Sequence, residues 1–378
     1  MKELFYKMIK PSIIFESMPD FSDNSRAVFD EMVRQGYDKK YRLIWFIRYG
    51  QCASIKNGKV EYWDHRDRKT LLQKIRNYSF HYKTKCIICC NHFITSSGKG
   101  SITSGKDQKS FYLSHGTPMK RVKPYYTSHG GIDYILSPAK ALDGLMAEEF
   151  SFDRRQVFTC GFPRNDAFAR PAPNLRQLLG INHKRIIIWY PTYRQNADKT
   201  IVATKNSLPI IHDEESAKQL NEAAKKLDVF LILKPHHAQD VSLIHDLHLS
   251  NIRLISDNFF AEKGISSYEL LAGSDALITD YSSVYFDYTL CDKPIGVIWE
   301  DIDEYRSFPG FAMDLDYYLK GAVKIYNRDD FAAFLQEVAE GKDRLQVERR
   351  EIRDVTNYST DGKNAERVVA FIAEKAGL

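Results

Sequence analysis

The chain has 378 residues, of which 43% are hydrophobic and 13% aromatic, with a formal net charge of +5 at pH 7. So much apolar surface excludes a disordered chain, and the length exceeds what one ordinary core serves, so two domains are expected. Residues 1–170 carry 29 Lys plus Arg against 17 Asp plus Glu, and the remainder 25 against 32. That asymmetry means either an anionic partner met mainly by the front half or solvated lysines with no partner.

The opening "MKELFYKMIKPSIIFES" breaks each apolar run with a charge or a Pro, so it does not read as a signal peptide. No stretch reaches the roughly 18 uninterrupted apolar residues of a spanning helix. The protein is expected to be soluble, or at most to rest on a membrane surface.

Candidate strands of the front half are "SIIFES" (12–17), "YRLIWFI" (41–47), "KCIICC" (85–90), "SFYLSH" (110–115), "DYILS" (133–137) and "QVFTCG" (156–161). A helix with Val28, Met32 and Val33 on its apolar side fills the gap after the first. "KTLLQKIRNYSFHYKTK" (69–85) puts Leu71, Leu72, Ile75, Tyr78 and Tyr82 at helical spacing among five Lys or Arg and no acid. It reads as a helix on an anionic membrane surface or as one packed on its own sheet. Cys86 and Cys89 have CxxC spacing but no second pair, so zinc is not expected, and these thiols read as small buried hydrophobes in a reducing cytoplasm. "GSITSGKD" (100–107) copies a phosphate-binding P-loop until Asp107 stands where a Ser or Thr would hold magnesium, and a strand follows instead of a helix, so it reads as a surface loop.

"ARPAPNLRQ" (169–177), with Pro171 and Pro173, marks a linker. Beyond it, short β-branched runs at 186–190, 229–234, 252–256, 276–279 and 294–299 alternate with helical stretches at 214–227 and 266–274. Such alternation predicts an α/β chain with parallel sheets covered on both faces.

Polar clusters stand at the downstream ends of four strands, the edge where open parallel sheets bind ligands. His115, in "FYLSHGTPMK" (111–120), carries an imidazole whose ordinary pKa of about 6.5 suits a proton acceptor at neutral pH, though a purely structural His has the same surroundings. Gly116 permits close backbone approach, Thr117 adds a hydroxyl and Lys120 a cation. His129, in "SHGGID", reads as loop. In "GFPRNDAF" (161–168), Arg164 suits phosphate as a fork, Asn165 stands beside it, and Asp166 suits a cap on the short helix that follows; a structural turn is the alternative. "PTYR" (191–194) brings Thr192 and Arg194. "LKPHH" (233–237) offers Lys234 and one of two histidines to a diphosphate, with His236 preferred and His237 left to solvent. "LITDYSSVYFDY" (277–288) sets Thr279, Asp280, Ser282 and Ser283 ahead of a helix carrying Asp287, with Val284 and Tyr288 inward. It is an anion site of amides and hydroxyls or a helix cap without a ligand.

In this order, "SHGTPMK", "GFPRNDAF", "YPTYR", "LKPHH" and "LITDYSSVYFDY", with "IIFESMPDFSDNS" near the start, resemble the CDP-glycerol glycerophosphotransferase family of teichoic acid primases and polymerases and related capsule enzymes. The resemblance covers residues 12–320. It implies two Rossmann-like domains facing a cleft in a glycosyltransferase B-type arrangement: an acceptor and membrane-side domain over 1–172, a CDP-donor domain over 173–345, and a terminal helix over 346–378 that packs back on the first. It further implies transfer of glycerol phosphate from CDP-glycerol, or a related CDP-alditol such as CDP-ribitol, to a hydroxyl of a lipid-linked, undecaprenyl-type glycan, releasing CMP without a cofactor or metal. His115 matches the family's general base, His236 the histidine that stabilises the diphosphate, and Thr279, Ser282 and Ser283 the diphosphate-binding segment. The partners so implied are the donor, the lipid-linked acceptor and an anionic membrane surface on the inner face of the cell membrane, with no nucleic acid. The chain departs from the pattern at Ser114 and at His237, where the family usually has Pro. A sugar transferase of the same architecture and a non-catalytic polymer-binding protein are the rival readings.

Overall fold

The apolar runs of the front half form strands because each is short, β-branched or aromatic, and bounded by polar residues. In the computed structural model, residues 12–48, 60–64, 66, 70–71, 92–96, 108–123, 130–192, 208–235, 241–245 and 247–378 are described. Seven strands make the first sheet: β1 (Ser12–Glu16), β2 (Arg42–Ile47), β3 (Glu61–Asp64), β4 (His92–Thr95), β5 (Lys109–Tyr112), β6 (Tyr134–Ser137) and β7 (Val157–Thr159). Their order is β3-β2-β1-β4-β5-β6-β7, and all the pairings are parallel. The chain leaves β1 towards β2 on one side and later returns to β4 on the other, so the strand order reverses at β1 and β4. Ligands of open parallel sheets gather at such a reversal.

Helix α1 (Asp23–Arg34) covers one face of this sheet. Val28, Phe29 and Met32 are buried against Phe15, Trp45 and Phe111, whereas Val33, expected on the same side, is exposed. Phe15 stacks on Trp45 with ring centroids 5.7 Å apart, and Phe29 meets both rings edge-on. Burial of each such ring contributes roughly 1.5–3 kcal/mol.

The second unit holds β8 (Arg185–Tyr190), β9 (Val229–Leu233), β10 (Ile252–Leu254), β11 (Ala276–Thr279), β12 (Ile295–Ile298) and β13 (Val323–Ile325) in the parallel order β10-β9-β8-β11-β12-β13. Here the order reverses between β8 and β11. Helices α2 (Glu214–Lys226), α3 (Asp257–Lys263), α4 (Ser267–Gly273), α5 (Val284–Tyr288), α6 (Arg328–Glu340) and α7 (Gln346–Thr356) follow in chain order. Ala217, Leu220 and Ala224 of α2 and Phe331, Phe334 and Leu335 of α6 pack with Trp189, Leu231 and Ile278 in one core. The expected α/β class with parallel sheets in two units is the one observed.

The last helix, α8 (Asn364–Ala376), belongs to the first unit, where Val368, Val369 and Ile372 join the core beneath β1 and β5. Phe371 stacks on Phe158 at 4.1 Å. The chain therefore divides less simply than boundaries at 172 and 345 suggest. Residues up to Thr117, Val122–Ala169 and Thr356–Leu378 form the first unit, and Pro118–Arg121 with Arg170–Val355 the second. The terminal segment is two helices rather than one returning piece. α7 stays with the second unit because buried Arg349 pairs there with Asp343 and Asp292, and its backbone packs against Gly321.

Two strands, β3 and β13, were absent from the sequence reading, and so was β4, "HFIT", which occupies the position next to β1. "CIICC", the 69–85 segment apart from residues 70 and 71, the 100–107 loop and His129 lie outside the described residues.

Candidate active site

The first polar cluster assembles where β1, β4 and β5 end. Asn24, fully buried in the first turn of α1, donates from Nδ2 to the carbonyls of Leu113 and Ser114, 3.0 Å each, and its Oδ1 accepts the backbone N–H of Arg164 at 3.2 Å. Ser25 and Ser96 bond to each other through their hydroxyls at 2.6 Å. These contacts pin the start of α1 to the exits of β4 and β5. Asp23 thereby comes to stand opposite His115.

Nδ1 of His115 lies 2.6 Å from Oδ2 of Asp23, and Oδ1 of the same carboxylate accepts from Nη1 of Arg164 at 2.6 Å. The Asp23 and Arg164 side chains are 9% and 8% exposed, but that of His115 is 41% exposed. Burial alone would raise the Asp23 carboxyl; the Arg164 charge and the His115 hydrogen bond outweigh it and hold the group at about 2. Asp23 is therefore an anion at any working pH and can only accept. Both Asp23 (φ 60°) and Ser114 (φ 58°) sit in the left-handed region, as does Gly116 (φ 145°), where a side chain would be strained. Ser114 Oγ donates to the Gly116 carbonyl at 3.0 Å and closes this turn. Thr117 is buried, and its hydroxyl has no partner among the described residues.

Four of the expected site residues make other contacts here. Arg164 was expected to present a fork to phosphate; the structure turns it onto Asp23 instead. Asp166 was expected to cap the helix following it and to bind substrate. Its buried carboxylate instead accepts the backbone N–H groups of Asn364 (2.9 Å) and Ala365 (2.8 Å) and caps α8. Asn165 is likewise buried and reaches Asn357 at 3.4 Å. Gly161, before this segment, has φ +78° and leaves no room for a Cβ beside Asn364. Lys120 belongs to the second unit, where it bridges Phe311 in antiparallel fashion and its Nζ stands 5.6 Å from the Tyr305 ring.

The second polar cluster stands at the reversal between β8 and β11. Thr279, whose hydroxyl was expected to face an anion, is fully buried and donates to the Tyr190 carbonyl at 2.8 Å. Asp280 is also fully buried and accepts from the Thr192 backbone N–H at 2.9 and 2.8 Å and from its hydroxyl. Asp287 is buried and accepts the Tyr268 hydroxyl at 2.6 Å. These three shape the site from within rather than lining it. Ser282 and Ser283 remain half-buried at the start of α5, whose inward residues are Tyr285, Phe286 and Tyr288, with Val284 only half-buried. Lys234 pairs with Asp257 Oδ1 at 2.8 Å and reaches the Pro235 carbonyl at 3.2 Å. His236 and Arg194 lie outside the described residues.

Asp23 and Asp257 are the residues that the sequence reading missed. Each carried a visible signal, an acid at the start of a helix. Among the described residues there is no group of three or more His, Cys, Asp or Glu side chains placed to hold a metal ion, and no helix long and apolar enough to cross a membrane.

The chain as a whole is similar to known proteins. The family model described as CDP-Glycerol:Poly(glycerophosphate) glycerophosphotransferase matches residues 3–374. A teichoic acid poly(glycerol phosphate) polymerase of Bacillus spizizenii is 27% identical over 82% of this chain and 79% of its own length. A teichoic acid ribitol-phosphate primase of the same organism is 27% identical over 65% of this chain and 60% of its own. The solved wall teichoic acid polymerase TagF superposes with a TM-score of 0.73 at 21% identity, covering 100% of this chain and 93% of that one, a likeness of fold.

Proposed function

We propose that this chain, which belongs to the CDP-glycerol:poly(glycerophosphate) glycerophosphotransferase family, transfers glycerol phosphate from CDP-glycerol to an acceptor hydroxyl and releases CMP. The match of that family model to nearly the whole chain, with glycerol-phosphate polymerases among its relatives, carries the reading.

The chemistry follows from each unit's own residues. In the first, His115 takes the proton of the acceptor hydroxyl as the oxygen attacks the phosphorus next to glycerol, a step that general-base catalysis speeds by about 10²–10⁴-fold. In the second, Lys234, His236 and the hydroxyls of Ser282 and Ser283 receive the charge that grows on the departing CMP phosphate. The proton that His115 accepts passes finally to solvent, which balances the reaction.

The acceptor is a lipid-linked glycan, and the enzyme works at the inner membrane face, where the excess of cations in the front half meets anionic lipid. The test is mass analysis of products formed from CDP-glycerol and from CDP-ribitol on a synthetic lipid-linked acceptor. Addition of glycerol phosphate units is expected. A product seen only with CDP-ribitol would move the chain to the ribitol enzymes, the second reading that its ribitol-phosphate relative favours. No product from either would refute the proposal.

A further inference from the structure

The side chains around His115 do more than hold it. Among the described residues its ring is bonded at Nδ1 alone, to a carboxylate that is itself tied twice through Oδ1, by Arg164 Nη1 at 2.6 Å and by the Asn24 backbone N–H at 2.7 Å. Both of those groups are obligate donors, so Oδ1 is fully occupied as an acceptor and Oδ2 is left to the imidazole. A carboxylate cannot donate, so the proton in this bond belongs to the histidine. We propose that Asp23 is the positioning residue of this enzyme: it holds the Nδ1 proton of His115 and thereby leaves Nε2 unprotonated towards the acceptor hydroxyl.

This inference rests on the reading of His115 as the proton acceptor. In the step, the hydroxyl O–H bond breaks, its proton goes to Nε2, and the freed electron pair forms the new O–P bond while the P–O bond to CMP breaks. The resulting imidazolium stays bonded to the Asp23 anion through Nδ1 and then loses the Nε2 proton to water. Arg164 acts one position further out, keeping Asp23 anionic and therefore an acceptor.

Asp23→Asn is the informative change. Asn tolerates the left-handed φ of 60° about as well as Asp, so the backbone is not strained. Arg164 and the Asn24 N–H still require an oxygen, which turns the amide Nδ2 towards His115. An N–H2 can only donate, so Nδ1 must become the acceptor and the proton must move to Nε2. The ring then has no lone pair for the acceptor hydroxyl.

The experiment is nitrogen-15 NMR of the histidine side chains at pH 8, with His115→Gln for assignment, beside steady-state CMP release. The wild type should show His115 as the Nδ1–H tautomer and Asp23→Asn as Nε2–H, with kcat lowered on the order of 10²–10⁴-fold and the KM for CDP-glycerol within about threefold of wild type. Asp23→Gly, which adopts the same φ freely, should lose the Nδ1–H preference as well and decides the matter if the Asn variant does not fold. An Nε2–H tautomer in the wild type, or the same tautomer in all three proteins, overturns the inference. Wild-type protein with the Nδ1–H signature and no CMP release would refute the activity reading while leaving the tautomer assignment standing.

Discussion

Lys234, one residue past the end of β9, holds the first helical carboxylate of α3 through a 2.8 Å contact between its Nζ and Asp257 Oδ1. The pair is only partly exposed, 15% and 32%, so the ammonium is presented from a fixed direction. A cation so placed gives a diphosphate a charge-assisted hydrogen bond, a contribution of roughly 1.5–3 kcal/mol. Lys234→Ala should therefore raise the KM for CDP-glycerol by roughly 10–100-fold. Initial rates over donor concentration check this, and an unchanged KM would remove Lys234 from the donor site.

Ser282 and Ser283 are the half-buried hydroxyls left at the start of α5 once Thr279 and Asp280 have turned inward. Ser282→Ala with Ser283→Ala should weaken donor binding, measured by calorimetric titration with CDP-glycerol, by roughly 1 kcal/mol for each hydroxyl lost. The melting temperature should move little, because Ser283 makes no side-chain cap and Ser282 Oγ only a 3.5 Å contact with Val284 N–H. A large fall in stability with unchanged affinity would contradict that division.

Asp166 is expected to behave in the opposite way. Replacing it by Ala strips the N-terminus of α8 of its acceptor and leaves the N–H groups of Asn364 and Ala365 buried. The cost is about 1–3 kcal/mol, read from urea unfolding. Turnover of the protein that remains folded should be near wild type, and a loss of donor affinity at unchanged stability would return Asp166 to the substrate contacts.

Two groups give the protein an acid dependence of known sign. The Asp23 carboxyl, at about 2 against an ordinary 3.8, binds its proton less readily folded than unfolded. Its contribution is complete above about pH 4 and is lost as pH falls towards 2, a change of about 2 kcal/mol. His92 is pushed down from 6.5 to about 4, first by burial and then by the Lys109 charge, and its Nδ1 accepts the Lys109 backbone N–H. The unfolded chain takes up that proton first, so stability from His92 is lost as pH falls from about 6.5 to 4. Urea midpoints should drop in both windows for the wild type, and the drop in the lower window should be smaller in Asp23→Asn, where other depressed carboxylates such as Asp153 remain.

The architecture was legible where apolar residues run together. "RLIWFI", "RIIIWY" and "VFLIL" announce themselves by five such residues, and even three-residue β7 and β10 read as strands, whereas β3 "EYWD" and β13 "VKI" carry charges within three or four positions and the apolar run "KCIICC" just before β4 draws the reading away from it. The site was legible in its residue types and strand ends but not in its pairings. Nothing in "FSDNS" tells that Asp23 meets a histidine 92 positions on, or that Asn24 pins the helix to that strand exit. The same limit applies to Asp166, whose partners lie 198 and 199 residues away. Thr279, Asp280 and Asp287 were expected to contact the donor, and the structure shows each buried in a hydrogen bond within the second unit. Which way each points depends on the Tyr190 carbonyl, the Thr192 N–H and the Tyr268 hydroxyl, and those are set by tertiary packing.

The central claim is that His115 accepts the proton of the attacking hydroxyl, and CMP release from CDP-glycerol with a synthetic lipid-linked acceptor tests it most directly. Wild-type protein should release CMP only when acceptor is present, and His115→Ala should be slower on the order of 10²–10⁴-fold at saturating substrates, with donor KM nearly unchanged. His115→Ala turning over at the wild-type rate would contradict the account.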